Sequence, residues 1–342
     1  MPSLRRLAAA IMLLLASSYA LEITAGPAVA EDAQPTDQKA GNQKPGGEIA
    51  AVTHLDQPFC ESDTQAQLEA RHKTATAATV VDLGHGYRLS QWPAAAEPAD
   101  DAEAPAAFLL LEKDGNCQLL VAGQQVGVTS LRLPLGDGAP PQLIVSSYSG
   151  GAHCCFSYDV VSLGAHFADD VIDSADSPIS LMGLGDGDAP DITYADMAFA
   201  YWNTSFAESP AGQVRLTWDK DRYRLIDPKD QSAPSDATLA AWQAEMTEAI
   251  KALPSAYVSV ADQNSGKEGP QLDPVIWSHL IELIYAGYPE LAVDLYTKAW
   301  PDDVKGKQVF WKDFVAQLQQ ASVLWTPWKL GDVLKPDLPK AP

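Results

Sequence analysis

The stretch Ser146–Ser157 reads Ser-Ser-Tyr-Ser-Gly-Gly-Ala-His-Cys-Cys-Phe-Ser and gathers the most reactive side chains of the sequence. Two of the four cysteines, Cys154 and Cys155, stand directly after His153. Thiolate and imidazole together suit Cu(I) or Zn(II), so His153-Cys154-Cys155 is a candidate soft-metal or thiol-redox site, with Met182 and Met197 available as further sulfur ligands. Two facts weigh against it. Adjacent residues on a strand point to opposite faces, so three in a row cannot all face one ion. No Cys-x-x-Cys or His-x-x-x-His spacing supplies a fourth ligand. The competing reading is structural, because cysteines in an exported chain read first as disulfides. A ring between neighbouring cysteines is strained, so Cys60 and Cys117 are expected to bridge to Cys154 and Cys155, in an unassigned order.

Other chemistry is not spelled out. The sequence has no Gly-x-Ser-x-Gly elbow, no phosphate-binding Gly-x-x-x-x-Gly-Lys loop and no His-Glu-x-x-His. His85 lies between two glycines in a turn, and His279 falls inside a helical run; both read as structural or surface residues. Carboxylates are too numerous for one pair to stand out as a glycosidase dyad. No catalytic residue is assigned, and the reading leans away from an enzyme. The aromatic residues Tyr148, Phe199, Tyr201 and Trp202, with Phe206 beside them, are candidates either for a ligand groove or for core.

The elements that must position these residues begin after an address. Arg5 and Arg6 precede the apolar run Leu7–Ala16, which is shorter than the roughly 20 residues a membrane span needs. The pattern is that of a secretory signal over 1–30, with cleavage expected after Ala30 and, as the alternative, after Ala20. No later apolar stretch is long enough to span a bilayer, and no cysteine follows the leader closely enough to carry a lipid. The mature chain is expected in a periplasm or secreted, with no membrane insertion after cleavage. Residues 31–57, rich in Pro, Gly and Gln, read as a disordered linker.

The charge narrows the partners. The chain carries 45 acidic against 23 basic side chains, a formal net charge of -22. Such a surface argues against nucleic acid, whose phosphates demand Lys and Arg, and against anionic lipid headgroups. It favours solubility and steers a cationic partner.

From 58 to 228 the pattern is β: short runs rich in branched and aromatic residues, broken by Gly, Pro or Asp-Gly turns. The spacing fits a sandwich, a barrel or propeller blades. The insert Ala94–Ala107, with Glu97, Asp100, Asp101 and Glu103, reads as a surface loop. From 234 to 342 the period changes to 3.6. Ser235 is an expected N-cap for a helix carrying Leu239, Trp242, Met246 and Ile250 on one face. Asp273-Pro274 and Tyr288-Pro289 begin two further helices, and Phe310, Phe314 and Leu318 mark another. Six of the nine tryptophans lie beyond residue 235, enough for a core there. The expected fold class is α+β: a mostly antiparallel, propeller-like or sandwich β domain stapled by disulfides, then a small helical domain with a Pro-rich tail.

An internal repeat adds one further reading. Leu135-Gly-Asp-Gly-Ala-Pro-Pro141 returns as Leu184-Gly-Asp-Gly-Asp-Ala-Pro190, and each copy precedes a β run. With Tyr148-Ser-Gly-Gly-Ala-His-Cys-Cys155, Asp196-Met-Ala-Phe-Ala-Tyr201 and Phe206-Ala-Glu-Ser-Pro210, the chain resembles a group of secreted bacterial proteins of unknown function with FG-GAP or VCBS-like, integrin-type repeats. The resemblance implies blade-like sheets and raises calcium, which intact loops of this type ligate through alternating carboxylates. Calcium asks for six to eight oxygens, and the first loop keeps only Asp137. A site around Asp186, Asp188 and Asp191 is the remaining candidate, set against a plain tight turn. No cofactor is assigned; Ca2+, Cu and Zn stay open.

Overall fold

The computed structural model describes residues 50–72, 79–93, 107–132, 141–150, 156–164, 167–175, 177–183, 189–219, 222–226, 232–253, 257 and 271–338. Among the described residues, thirteen strands fall into three antiparallel sheets, and the long helices gather toward the C-terminal end. The first sheet runs β2 (Thr79–Gly84), β3 (Tyr87–Trp92), β4 (Ala107–Lys113) and β5 (Asn116–Gly123) in chain order. The middle sheet holds β6 (Gln125–Arg132), β7 (Gln142–Tyr148), β8 (Phe156–Ser162) and β9 (Ala168–Ala175), with β1 (Thr53–Leu55) added beyond β9. The third runs β10 (Ser180–Met182), β11 (Asp191–Asp196), β12 (Gly212–Asp219) and β13 (Arg222–Leu225). Apart from β1, the strands of each sheet follow one another as an up-and-down meander.

Period-two alternation explains the stacking. On β7 and β8, Leu143, Val145 and Val161 join Leu89, Leu109, Leu111 and Leu119 of the first sheet in one buried cluster. Ile144, Tyr158 and Val160, one residue out of phase, join Ile192, Val214 and Tyr223 of the third sheet in another. The middle sheet is therefore buried on both faces, which is why its strands read as nearly continuous apolar runs rather than as clean alternation.

The outer face of the first sheet is covered differently. Helix α1 (Ser62–His72) places Leu68 against Trp92, Phe108 and Leu120, with Cys60 and Cys117 packed at the edge. The segment before the helix is held to β5 by Phe59 N–H donating to Gln118 O and Leu120 N–H donating to Phe59 O.

The remaining helices are α2 (Asp236–Lys251), α3 (Val275–Tyr285), α4 (Pro289–Ala299) and α5 (Lys307–Ala321). Their starts follow the sequence signals. Ser235 Oγ accepts from Thr238 N–H at 3.1 Å, and Asp273 Oδ1 accepts from Val275 N–H at 3.0 Å. Pro289 occupies the first turn of α4, where its missing N–H costs nothing. Trp277, Trp300, Trp311, Phe310 and Phe314 are fully buried; each such side chain contributes roughly 1.5–3 kcal/mol. These residues share one continuous core with the middle and third sheets, so apolar packing crosses the boundary expected near 228–234. No helix among the described residues is long and apolar enough to cross a membrane.

Two elements depart from the expectations. Thr53–Leu55 lies in the stretch read as linker, yet it pairs antiparallel with Asp169–Val171; three residues are too few to show a period. Strand β9 was not anticipated, because Asp169, Asp170 and Asp173 give Ala168–Ala175 the composition of a loop.

Candidate functional site

The cysteine pairing differs from the expected one. Cys60 is bonded to Cys117, with Cα atoms 6.4 Å apart, rather than to Cys154 or Cys155. The reason lies in the first sheet: Phe59 forms a parallel bridge with Leu119, and that register sets Cys60 beside β5. His153, Cys154 and Cys155 lie outside the described residues, as do Asp186 and Asp188. Asp191 opens β11 and has Arg215 at 3.6 Å, a guanidinium that competes with any cation for the carboxylate. Among the described residues, no group of three or more His, Cys, Asp and Glu side chains is placed to hold a metal ion.

The four aromatic candidates do not share one surface role. Tyr148 packs on Phe156 with ring centroids 4.9 Å apart. Phe199 and Trp202 are buried in the helical core, Trp202 lying edge-on to Trp277 at 5.2 Å and to Phe310 at 5.4 Å. Tyr201 alone faces solvent, 58% exposed and packed on Phe206. It takes a left-handed backbone with φ 60, as does Asn203 with φ 56. These turns send Trp202 inward and Tyr201 outward. His85 sits in the β2–β3 turn with φ 53, in an open cleft of about 420 Å³ lined also by Asp82, Arg88 and Glu112. Arg88 and Glu112 pair there at 2.8 Å. His279 stacks on Trp242 and bonds Glu245 Oε2 at 3.0 Å.

Strongly perturbed carboxyls lie elsewhere, on β8 and β9. Asp169 and Asp170 are neighbours on a strand and therefore face opposite sides of the middle sheet. Toward the third sheet, Asp170 Oδ1 accepts from His54 Nδ1 at 2.5 Å and Oδ2 accepts from Tyr223 N–H at 2.5 Å. An ionised carboxylate only accepts, so it sets the His54 proton on Nδ1 and leaves Nε2 with the ring's lone pair. The imidazole is 30% exposed. This is the carboxylate–imidazole arrangement that orients a base or a metal-binding nitrogen. Burial raises the Asp170 pKa, while the Tyr223 amide, His54 and Arg222 oppose the shift.

Toward the first sheet, Asp169 shares its face with Asp159. Asp169 is opposite Val161 in the ladder, and Asp159 is two residues from Val161 on the same strand. Burial raises the pKa of both carboxyls, and the charge of Asp159 raises Asp169 further.

A fourth buried carboxylate, Asp196 at the end of β11, forms a third centre and accepts from Ala198 N–H at 3.1 Å and Val323 N–H at 3.2 Å. Burial raises its pKa and these donors pull it back. None of these three centres was identified from sequence. The one available signal was the Asp-Asp pair at 169–170 inside a run with Val171 and Ile172, which in a strand must send one carboxyl to each face.

Comparison with protein-family models, with curated proteins and with solved structures finds no match for the chain.

Proposed function

We propose that the protein is an exported, non-catalytic binding protein of the bacterial envelope whose acidic surface selects a cationic partner. The observation that carries this reading is the formal net charge of -22. A field of that size raises encounter rates with a cation and does so less as salt is added. The Cys60–Cys117 bond fits an oxidising compartment, in keeping with the leader read in residues 1–30. The resemblance to secreted proteins with integrin-type repeats points the same way and brings no reaction with it. The test is capture from envelope extract by the mature chain at low and at high salt. A specific basic partner that is held at low salt and released at high salt supports the reading. A partner held equally at both, or none at all, overturns it.

A second reading gains from the same disulfide. With Cys60 and Cys117 joined, Cys154 and Cys155 have only each other as partners within the chain. As two free thiols beside His153 they would suit a copper or zinc site or a thiol–disulfide step. Thiol titration with elemental analysis of the mature protein separates the outcomes. Two free thiols with stoichiometric copper or zinc support this reading; four blocked cysteines and no metal overturn it.

A further inference from the structure

We propose that Asp159 and Asp169 share one proton at neutral pH, and that this proton is a pH-sensitive fastening of the middle sheet, released as the medium turns alkaline. The two carboxyls stand diagonally across the β8–β9 ladder on one face. Asp159 is 7% exposed and Asp169 1%. Neither oxygen of Asp169 makes a hydrogen bond of ordinary geometry; the groups at hand are the Val160 N–H and the carboxyl of Asp159. Two neighbouring carboxylates repel in a low dielectric, whereas a carboxylic acid beside a carboxylate makes a short hydrogen bond. A proton held between them gives a buried Asp169 oxygen the hydrogen-bond partner it lacks. Its macroscopic titration belongs to the pair and not to either residue.

The surrounding charges leave that arrangement standing. On the same strand, Asp173 shares the face but is exposed, and Asp170 points to the other face. From β1, His54 is committed to Asp170. From β13, the charge of Arg222 also acts on Asp170, and on β11 Asp191 and Asp196 belong to the third sheet. From β8 itself, Tyr158 lies on the opposite face, its hydroxyl accepting from Ile179 N–H. From the first sheet, Tyr87 and Lys113 both donate to Gly164 O, and the Lys113 ammonium lies over the Tyr87 ring. Arg88 and Glu112 pair with each other on that sheet's outer side. No base among these is seated to neutralise a second negative charge at the pair.

The sign follows from linkage. Both carboxyls are raised above their unfolded values, so the stability tied to them is full in acid and is lost as pH rises through the folded values. Each proton that the folded chain keeps and the unfolded chain has lost makes the unfolding equilibrium constant rise about tenfold per pH unit. The deciding experiment follows the side-chain carboxyl carbons of the full mature protein by NMR from acid to alkaline pH, with thermal melts alongside. Expected are coupled titrations of Asp159 and Asp169 extending above the ordinary carboxylate range, and a melting temperature that falls over that interval. Asp169→Asn should flatten this fall and melt above the parent at alkaline pH. Should that variant not fold, Asp159→Asn removes the charged neighbour and should move the remaining Asp169 titration to lower pH. Both carbons titrating in the ordinary range, or melts in Asp169→Asn that keep the parent's pH dependence, would overturn the proposal.

Discussion

The Tyr285 hydroxyl donates to Asp196 Oδ2 at 2.5 Å, joining the end of β11 in the third sheet to the last turn of helix α3. Ser322 Oγ stands 2.8 Å from the same hydroxyl. Burial and the Asp196 charge both push the tyrosine pKa well above its usual value, so the phenol stays protonated and keeps donating. Tyr285→Phe removes one donor to a buried carboxylate. The expected cost is about 1.5–3 kcal/mol, the range for hydrogen bonds to charged groups. Chemical denaturation of the two proteins measures it, and a loss below a few tenths of a kcal/mol would mean that Ala198, Ser322 and Val323 suffice to hold Asp196.

The same tyrosine predicts the outcome at a glycine. A Cβ on Gly212, at the start of β12, would overlap the Tyr285 ring. The ring is held by its hydroxyl and cannot swing aside without giving up Asp196. Gly212→Ala should therefore destabilise by about 1–3 kcal/mol, as overpacking does. Combining it with Tyr285→Ala should relieve the clash, so the double variant should lose less than the sum of the two single losses. Additive losses in a double-mutant cycle would show that the ring is not the obstacle.

The disulfide gives a third expectation. Cys60 and Cys117 are 57 residues apart, and a closed loop of that size limits the unfolded chain by about 4 kcal/mol in the chain-entropy account. Cys60→Ser and Cys117→Ser should each cost about 2–5 kcal/mol and loosen α1 from the first sheet. Peptide mapping should recover Cys60 joined to Cys117, and a peptide joining either one to Cys154 or Cys155 would contradict the fold described.

What the sequence disclosed follows from the length scale of each signal. Helices α2 to α5 announced themselves through caps and periods confined to about fifteen residues: Ser235, Asp273, Pro289, and the Phe310–Phe314–Leu318 stripe all stand where local pattern put them. The strands with branched or aromatic residues were legible for the same reason. Strand β9 was not, because its carboxyls are accommodated by residues distant in sequence: His54 is 116 residues from Asp170, and Tyr223 is 53. Cysteine pairing failed similarly. The adjacency of Cys154 and Cys155 says nothing of Cys60, whose place is decided by the bridge between Phe59 and Leu119. Trp202 shows a third kind of failure. Aromatic composition told that 199–206 mattered, but only the positive φ of Tyr201 and Asn203 decides which ring turns inward.

Strand β1 is a short edge strand of the middle sheet. It has three residues, one neighbouring strand and two side-chain fastenings: His54 to Asp170, and Tyr194 Oη donating to Ala51 O at 3.0 Å. His54→Ala removes the first fastening and leaves Asp170 with Tyr223 N–H. The lost hydrogen bond to a charged acceptor is worth about 1–2 kcal/mol at a site a third open to water. Because β1 pairs only with β9, the loss should appear as local opening rather than as global unfolding. Native-state hydrogen exchange should show faster exchange at Thr53–Leu55 and at the β9 residues facing them, while Leu109, Leu111 and Leu143 keep the protection of the parent. Tyr194→Phe should open the same strand, and the two variants together should detach it. Equal loss of protection at Leu143 and at Leu55 would mean instead that β1 is part of the global folding unit, with His54 and Asp170 among its central contacts.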